Sequence, residues 1–463
     1  MSFIVKHVGI PIAETIARMP VSKHLRELLR TQWLSLDDIR MMQERRLASV
    51  IEHCYNTVPL YRRFMDERSL TPEDIRSVED LVKLPILTKE IIRANYPELV
   101  ISSSFRPSQL IETTSSGSTG EPFKFVLSKE EKARKWAGLY RFWAWAGYEL
   151  GDRIVSITAF PPRAFKKASL LRYLETRYSG ILGLYATELS ADNVKSFIET
   201  ISRFTPKVIR GYSSTLHYLA QSLTERGVKL QVSAACTTGE TIHDFQRELI
   251  EAAFGCKVYD GYGGEGMEIA GQCGHDKNYH INAEDVIVEI LDEDGRPCEP
   301  GVEGQVVLTD LNRYSMPLIR YNIQDLAALS GKQCVCGRGL PMLERISGRL
   351  TDVGVTPSGK LISSYLFSIL FRELVPRVKQ FQVVQEKRDH LVVYIVPGDG
   401  FQEVSEYVRS SIRERVGSEV SIDIKTVEEI PVAPSGKRRL FISKCGIKPV
   451  GLTEEERPSA TDE

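Results

Sequence analysis

Three stretches of the chain concentrate groups that can do chemistry. The first is Thr113-Thr-Ser-Ser-Gly-Ser-Thr-Gly-Glu-Pro122, six hydroxyl side chains around two glycines. Glycine permits the backbone geometry that turns successive N–H groups toward an anion, and the hydroxyls add donors suited to phosphate oxygens. No Gly-Lys-Ser/Thr follows, so it is not a Walker loop, and the bland reading is a Ser/Gly linker. The second pairs Cys273 and His280 with Cys334-Val-Cys336. Thiolates and imidazole are zinc ligands and four fill a tetrahedral site, although Cys-x-Cys is a less typical spacing than Cys-x-x-Cys. His275 competes with His280, and unligated thiols in loops remain the alternative. The third is Pro434-Ser-Gly-Lys437-Arg-Arg, a lysine on a Gly-containing turn.

The pattern of apolar residues says what must position these groups. Roughly the first hundred residues read as helical, with a segment opening at Ser35 and stopping at Pro59, and Thr88 capping a short helix toward Tyr96. From about Leu110 short strands alternate with helices, which argues for an α/β layer with a mostly parallel sheet. Residues 286–329 turn strand-rich, as a hairpin or small barrel. From Gly348 the pattern is a compact α+β domain, including a helix expected over 402–416 with Val404, Val408, Ile412 and Val416 on one face. Trp136, Tyr140, Trp143 and Trp145 read as core packing more than as a ligand pocket. The histidines at 7, 24, 53, 217, 243 and 390 show no triad spacing and read as surface or half-buried.

Composition narrows the classes. Sixty Lys and Arg against 61 Asp and Glu give a formal charge of −1 over 463 residues, which argues against a general polyanion binder. Apolar residues make up 42%, ordinary for a globular chain. No apolar run reaches the ~18 residues that span a bilayer, and the start of the chain lacks a leader-like cleavage site. The eight cysteines are then expected as free thiols or metal ligands in a reducing, cytoplasmic setting.

Five motifs in order resemble those of adenylate-forming (AMP-binding) ligases. The hydroxyl-rich run resembles their phosphate loop, and Gly261-Tyr-Gly-Gly-Glu265 their Tyr-Gly-x-x-Glu. Met316-Pro-Leu-Ile-Arg-Tyr-Asn-Ile-Gln-Asp325 resembles the segment ending in a ribose-binding Asp, Gly348-Arg349 the entry to a mobile domain, and Pro434-Ser-Gly-Lys437 the catalytic-lysine motif. Val58-Pro-Leu-Tyr-Arg and Leu84-Pro-Ile-Leu-Thr-Lys89 are similar to the phenylacetate–CoA ligase and capsule-biosynthesis branch. The resemblance implies roles. Ser115, Ser116, Gly117, Ser118, Thr119 and Gly120 hold ATP phosphates; Gly239, Glu240 and Tyr262 line the nucleotide; Asp325 and Arg349 bind the ribose. Glu265 ligates Mg²⁺ and Lys437 stabilises charge in the transition state. Cys273, His280, Cys334 and Cys336 hold a structural zinc, His280 being preferred over His275 because Tyr279-His-Ile matches the family.

The match has departures. The family places its Glu four residues after the Tyr, where this chain has Gly266; Glu265 is read as the equivalent through a one-residue deletion, with Glu268 as substitute. The Gly-Arg-x-Asp-Asp hinge carries Thr351 in place of one acid.

The implied fold is a large N-terminal α/β plus β-barrel domain with a small mobile C-terminal α+β domain. Residues 1–105 would form its helical part, 106–347 the AMP-binding core, 348–450 the small domain and 451–463 a disordered tail. The implied activity is ATP-dependent activation of an aryl or arylalkyl acid as acyl-adenylate and transfer to CoA. The alternatives are transfer to an amine or sugar-linked acceptor, or an inactive nucleotide-binding module. The expected partners are the acid, ATP and the acceptor, with no nucleic acid and no membrane span, and a homodimer left open.

Overall fold

The structure, a computed structural model, describes residues 9–114, 123–158, 180–190, 192–350, 353–372, 374, 377–403, 405–431 and 437–445. The phosphate-loop residues Ser115–Gly120, the hinge Thr351, Val404 and the acidic tail lie outside the described residues. The chain divides into two compact units. One holds Met1–Ile10, Phe142–Gly261 and Ser347–Ile447, and the other Pro11–Arg141, Tyr262–Ile346 and Lys448–Glu463.

The second unit opens with helices α1 (Val21–Thr31), α2 (Leu36–Thr57), α3 (Pro59–Asp66) and α4 (Lys89–Asn95). Ser35 caps α2 by accepting from the Asp38 N–H at 3.1 Å, with Asp37 and Asp38 at the positive end of the helix. Pro59 then occupies the first turn of α3, where a missing N–H costs nothing. Thr88 caps α4 through the Ile91 N–H at 3.3 Å. Strands β1 (Leu110–Thr114) and β2 (Lys124–Ser128) pair antiparallel, with Thr114 opposite Lys124 at the two ends of the hydroxyl-rich run. Helix α5 (Lys129–Trp145) follows, and Trp143 and Trp145 are buried as core.

In the first unit the chain alternates β3 (Ile154–Thr158), β4 (Ile181–Tyr185), α6 (Val194–Phe204), β5 (Val208–Gly211), α7 (Ser213–Glu225), β6 (Ala234–Thr238), α8 (Asp244–Phe254) and β7 (Lys257–Gly264). These strands form a parallel array in the order β4-β3-β5-β6-β7, as strand–helix alternation requires. Val155, Ile157, Ile209, Leu216, Leu219, Ile250 and Phe254 fill the layer between strands and helices.

Back in the second unit, β8 (Met267–Gln272), β9 (Tyr279–Ile281), β10 (Val286–Leu291), β11 (Glu303–Asp310), β12 (Tyr321–Leu329) and β13 (Met342–Arg349) follow, ordered β10-β11-β12-β13-β9-β8. β10 and β11 form the hairpin expected from their alternation.

The last part of the first unit holds β14 (Val353–Val355), β15 (Leu361–Ser363), α9 (Ser364–Arg372), β16 (Val378–Lys387), β17 (His390–Pro397), α10 (Ser405–Val416), β18 (Ser421–Thr426) and β19 (Phe441–Ser443). Strand order is β18-β17-β16-β19, over a core of Phe367, Leu370, Phe371, Val383, Val393, Ile412 and Phe441. The helix expected over 402–416 begins only at Ser405, after a separate 3₁₀ turn, Phe401–Glu403, in which Phe401 is 4% exposed. A single helical face could not serve both: Phe401 turns into the core ahead of the helix that carries Val408 and Ile412. Among the described residues, no helix is long and apolar enough to cross a membrane.

Candidate active site and metal centre

Within the second unit, two residues singled out from sequence meet. Tyr262, near the end of β7, donates its hydroxyl to Asp325 Oδ2 at 2.7 Å, and Asp325 is 8% exposed. The β11–β12 register shifts between Gln305 and Val307, and Gln324 takes a left-handed φ of 68°. Such a bulge re-aims a side chain. A buried carboxylate held by a phenol is a strong acceptor for hydroxyl donors.

Glu265 sits in the turn between β7 and β8 with φ 45°, 8% exposed. Its carboxylate is 3.1 Å from Lys89 Nζ and 3.5 Å from the Tyr321 hydroxyl, and its backbone carbonyl accepts from Arg313. Gly266 has φ 83°, and a Cβ there would stand 2.8 Å from Phe125 and 2.9 Å from Arg313 Nη2. No larger residue fits that position, so the acid stands one place earlier, on a turn that the glycines allow. Glu268, the alternative, lies on β8 with its carboxylate 3.1 Å from where a Gly263 side chain would begin.

The Lys89 partnership was missed from sequence, where Leu84–Lys89 served only as a family marker. Its position comes from β-type pairing: Leu87 N–H donates to Arg320 O at 2.8 Å, and Asn322 N–H to Leu87 O at 2.9 Å. Thr88 then starts α4, which puts Lys89 on its first turn.

The first unit holds the other predicted residues. Lys437 Nζ lies 5.7 Å from the centroid of the Tyr212 ring, and Lys437 Cε stands 3.4 Å from where a Gly239 side chain would begin. Gly239 has φ 75°, and the absence of a side chain there leaves room for both the lysine and the ring. Glu240 accepts from the Arg438 N–H at 2.8 Å, from the Ser214 N–H at 2.8 Å and from the Ser214 hydroxyl at 3.0 Å. Burial raises its pKa, opposed by those donors and by the charge of Lys437. The Arg438 guanidinium lies 4.9 Å from the Tyr218 ring centroid, so Arg438 is not the bland surface charge that a basic cluster suggests. Arg349, the last residue of β13, is half-buried.

The cysteine–histidine set comes together in the second unit. The ligand atoms of Cys273, His280, Cys334 and Cys336 all lie within 4.8 Å of one another. Cys273 Sγ is 3.6 Å from Cys334 Sγ, and Cys336 Sγ is 3.3 Å from His280 Nε2. A zinc with ~2.3 Å bonds to sulfur separates two thiolates by ~3.8 Å, so the donor set and its spacing fit that ion. His280 is fully buried on β9, and burial pulls its pKa to about 4, which keeps the imidazole neutral. Burial opposes the Cys336 thiolate, yet the Arg338 N–H and guanidinium hold its pKa below the ordinary value. His275 is exposed and outside the group. Elsewhere His24 and His243 are buried rather than on the surface.

Residues 355–444 match the CapK C-terminal domain family. Over the chain, Protein CapK of Staphylococcus aureus is 24% identical across 415 residues, covering 88% of this chain and 90% of that protein. The phenylacetate-coenzyme A ligase of Thermus thermophilus is 25% identical across 435 residues, covering 87% and 94%. The chain is thus similar along most of its length both to a CapK protein and to a phenylacetate–CoA ligase. A solved 2-hydroxyisobutyryl-CoA ligase in its postadenylation state has the same fold, with a TM-score of 0.71 at 20% identity, covering 87% of this chain and 89% of that one. The fold expected from the motifs is therefore the fold observed.

Proposed function

We propose that this AMP-forming acid–CoA ligase activates an aryl or arylalkyl carboxylic acid with ATP and passes the acyl group to CoA. The observation that carries the reading is the packing of Lys437 against Tyr212 and Gly239, beside the Thr-Thr-Gly-Glu segment expected to line the nucleotide. An ammonium there lowers the repulsion between a substrate carboxylate and the α-phosphate, a benefit largest in the transition state. Asp325, held by Tyr262, accepts from the ribose hydroxyls, and Arg349 donates to them. Ser115–Gly120 contribute donors to the phosphates. Glu265 would be the carboxylate for Mg²⁺ by exchanging its Lys89 partner for the ion, which would neutralise phosphate charge. Cys273, His280, Cys334 and Cys336 would hold a zinc that is structural, since four protein ligands leave no open position. All eight cysteines stand outside disulfides, which suits a reducing cytoplasm.

A second acceptor is supported by the match of residues 355–444 to the CapK C-terminal domain and by the similarity to CapK over 90% of that protein. On that reading an amine or sugar-linked hydroxyl takes the place of CoA. An acid panel scored for acid-dependent pyrophosphate release, followed by CoA, amines and sugars with the productive acid, separates the two. Thioester formation supports the first reading and amide or ester formation the second. ATP binding with no turnover on any acid contradicts both.

A further inference from the structure

We propose that Glu240 is a positioning residue that latches the Lys437 segment in place for adenylation; the proposal rests on the ligase reading above. Lys437 lies just ahead of β19, and a long flexible lysine delivers charge to one point only if its backbone is fixed. Strand pairing fixes one side: Val383 N–H donates to Leu440 O at 2.8 Å, and Phe441 pairs with Val383. Nearer to the lysine along the chain, the amide next to Lys437, that of Arg438, donates to Glu240 at 2.8 Å.

The same carboxylate is anchored. Helix α7 begins at Ser213, and its N-cap, Tyr212, makes no side-chain cap bond. Glu240 supplies one from outside the helix, taking the Ser214 N–H and hydroxyl at 2.8 and 3.0 Å. One carboxylate therefore joins the β6–α8 connection, the start of α7 and the backbone beside Lys437. Burial raises the Glu240 pKa while the Lys437 charge lowers it, which agrees with the ammonium lying close by.

Two measurements on the full chain test this. The first is limited trypsin digestion, read by mass spectrometry at Lys437, Arg438 and Arg439. Glu240→Ala should speed cleavage there about tenfold or more while other sites and the thermal midpoint stay as in the wild type. Should Glu240→Ala lose its fold, Glu240→Gln, which keeps the volume and one acceptor, decides: intermediate acceleration at these three sites supports the latch, and wild-type rates overturn it.

The second is adenylation kinetics with the acid that drives pyrophosphate release in the wild type. Glu240→Ala should lower kcat about ten- to a hundredfold with little change in KM for ATP, and transfer from presynthesised acyl-AMP should be spared. Glu240→Ala/Lys437→Ala should be no slower than Lys437→Ala alone, since the latch acts through that lysine. A raised KM for ATP with unchanged kcat and unchanged trypsin cleavage would make Glu240 a nucleotide-lining group and overturn the proposal. If Lys437→Ala leaves adenylation intact while the trypsin result holds, the ligase role of Lys437 fails and the latch stands as a structural contact.

Discussion

Tyr262 donates to Asp325 at 2.7 Å, although the two residues lie 63 positions apart in the chain. The bulge in β12 and the end of β7 bring them together. The pair gives the ribose assignment a graded test. Asp325→Ala removes a charged acceptor worth roughly 1.5–3 kcal/mol, so ATP affinity should fall about ten- to a hundredfold. Tyr262→Phe removes only the orienting donor and should cost about threefold to tenfold. Calorimetry that finds folded Asp325→Ala with wild-type ATP affinity rejects the assignment.

Lys89 and Glu265 offer a test of stability that needs no substrate. Their side chains are 16% and 7% exposed, so breaking the pair leaves a charge with little water. Lys89→Met should cost about 2–4 kcal/mol in urea denaturation, and Glu265→Gln in the same chain should restore much of it. Additive losses in the double variant would show that the two residues do not act as a pair.

The zinc site proposed at Cys273, His280, Cys334 and Cys336 predicts composition. Purified protein should carry about one zinc per chain, and removing it with a chelator should lower the thermal midpoint. Cys336→Ser should lower zinc content sharply. Unchanged zinc in that variant, or a metal-free chain of undiminished stability and activity, contradicts the four-ligand site.

Two histidines set an acid limit. Burial pulls His217 and His243 down to about 4, below the ~6.5 of an exposed imidazole. Between these values the unfolded chain binds more protons, so their contribution is complete above pH ~6.5 and is lost as pH falls toward 4. Each is worth on the order of 3 kcal/mol. Asp310, raised to about 6 by burial, acts in the opposite sense, as does Glu240. The difference between wild type and His217→Gln/His243→Gln isolates the histidines. Its dependence on pH should be confined to that window, and a difference flat from pH 7 to 4 would show that neither histidine is held neutral.

Where local signals were strong, the chain disclosed its fold. Ser35, Pro59 and Thr88 mark helix ends that the structure keeps, and strand–helix alternation after Leu110 becomes the parallel array. Legibility failed where long-range pairing decides. Lys89 reaches Glu265 because Leu87 pairs alongside β12, a contact between residues more than two hundred apart in the chain. The role of Gly266 is visible only once Phe125 and Arg313 crowd it. Glu240 read as a nucleotide-lining residue because a family motif contains it, while its bonds to Ser214 and Arg438 depend on tertiary packing.

The role proposed for Lys437 is in adenylation. Both half-reactions measured on Lys437→Ala test it most directly, with Lys360→Ala as an exposed-charge control. Adenylation should fall a hundredfold or more, the scale of removing one preorganised charge stabiliser. Transfer from presynthesised acyl-AMP should stay within about threefold of wild type. Equal losses in both half-reactions would make Lys437 structural, and no loss in either would contradict the account.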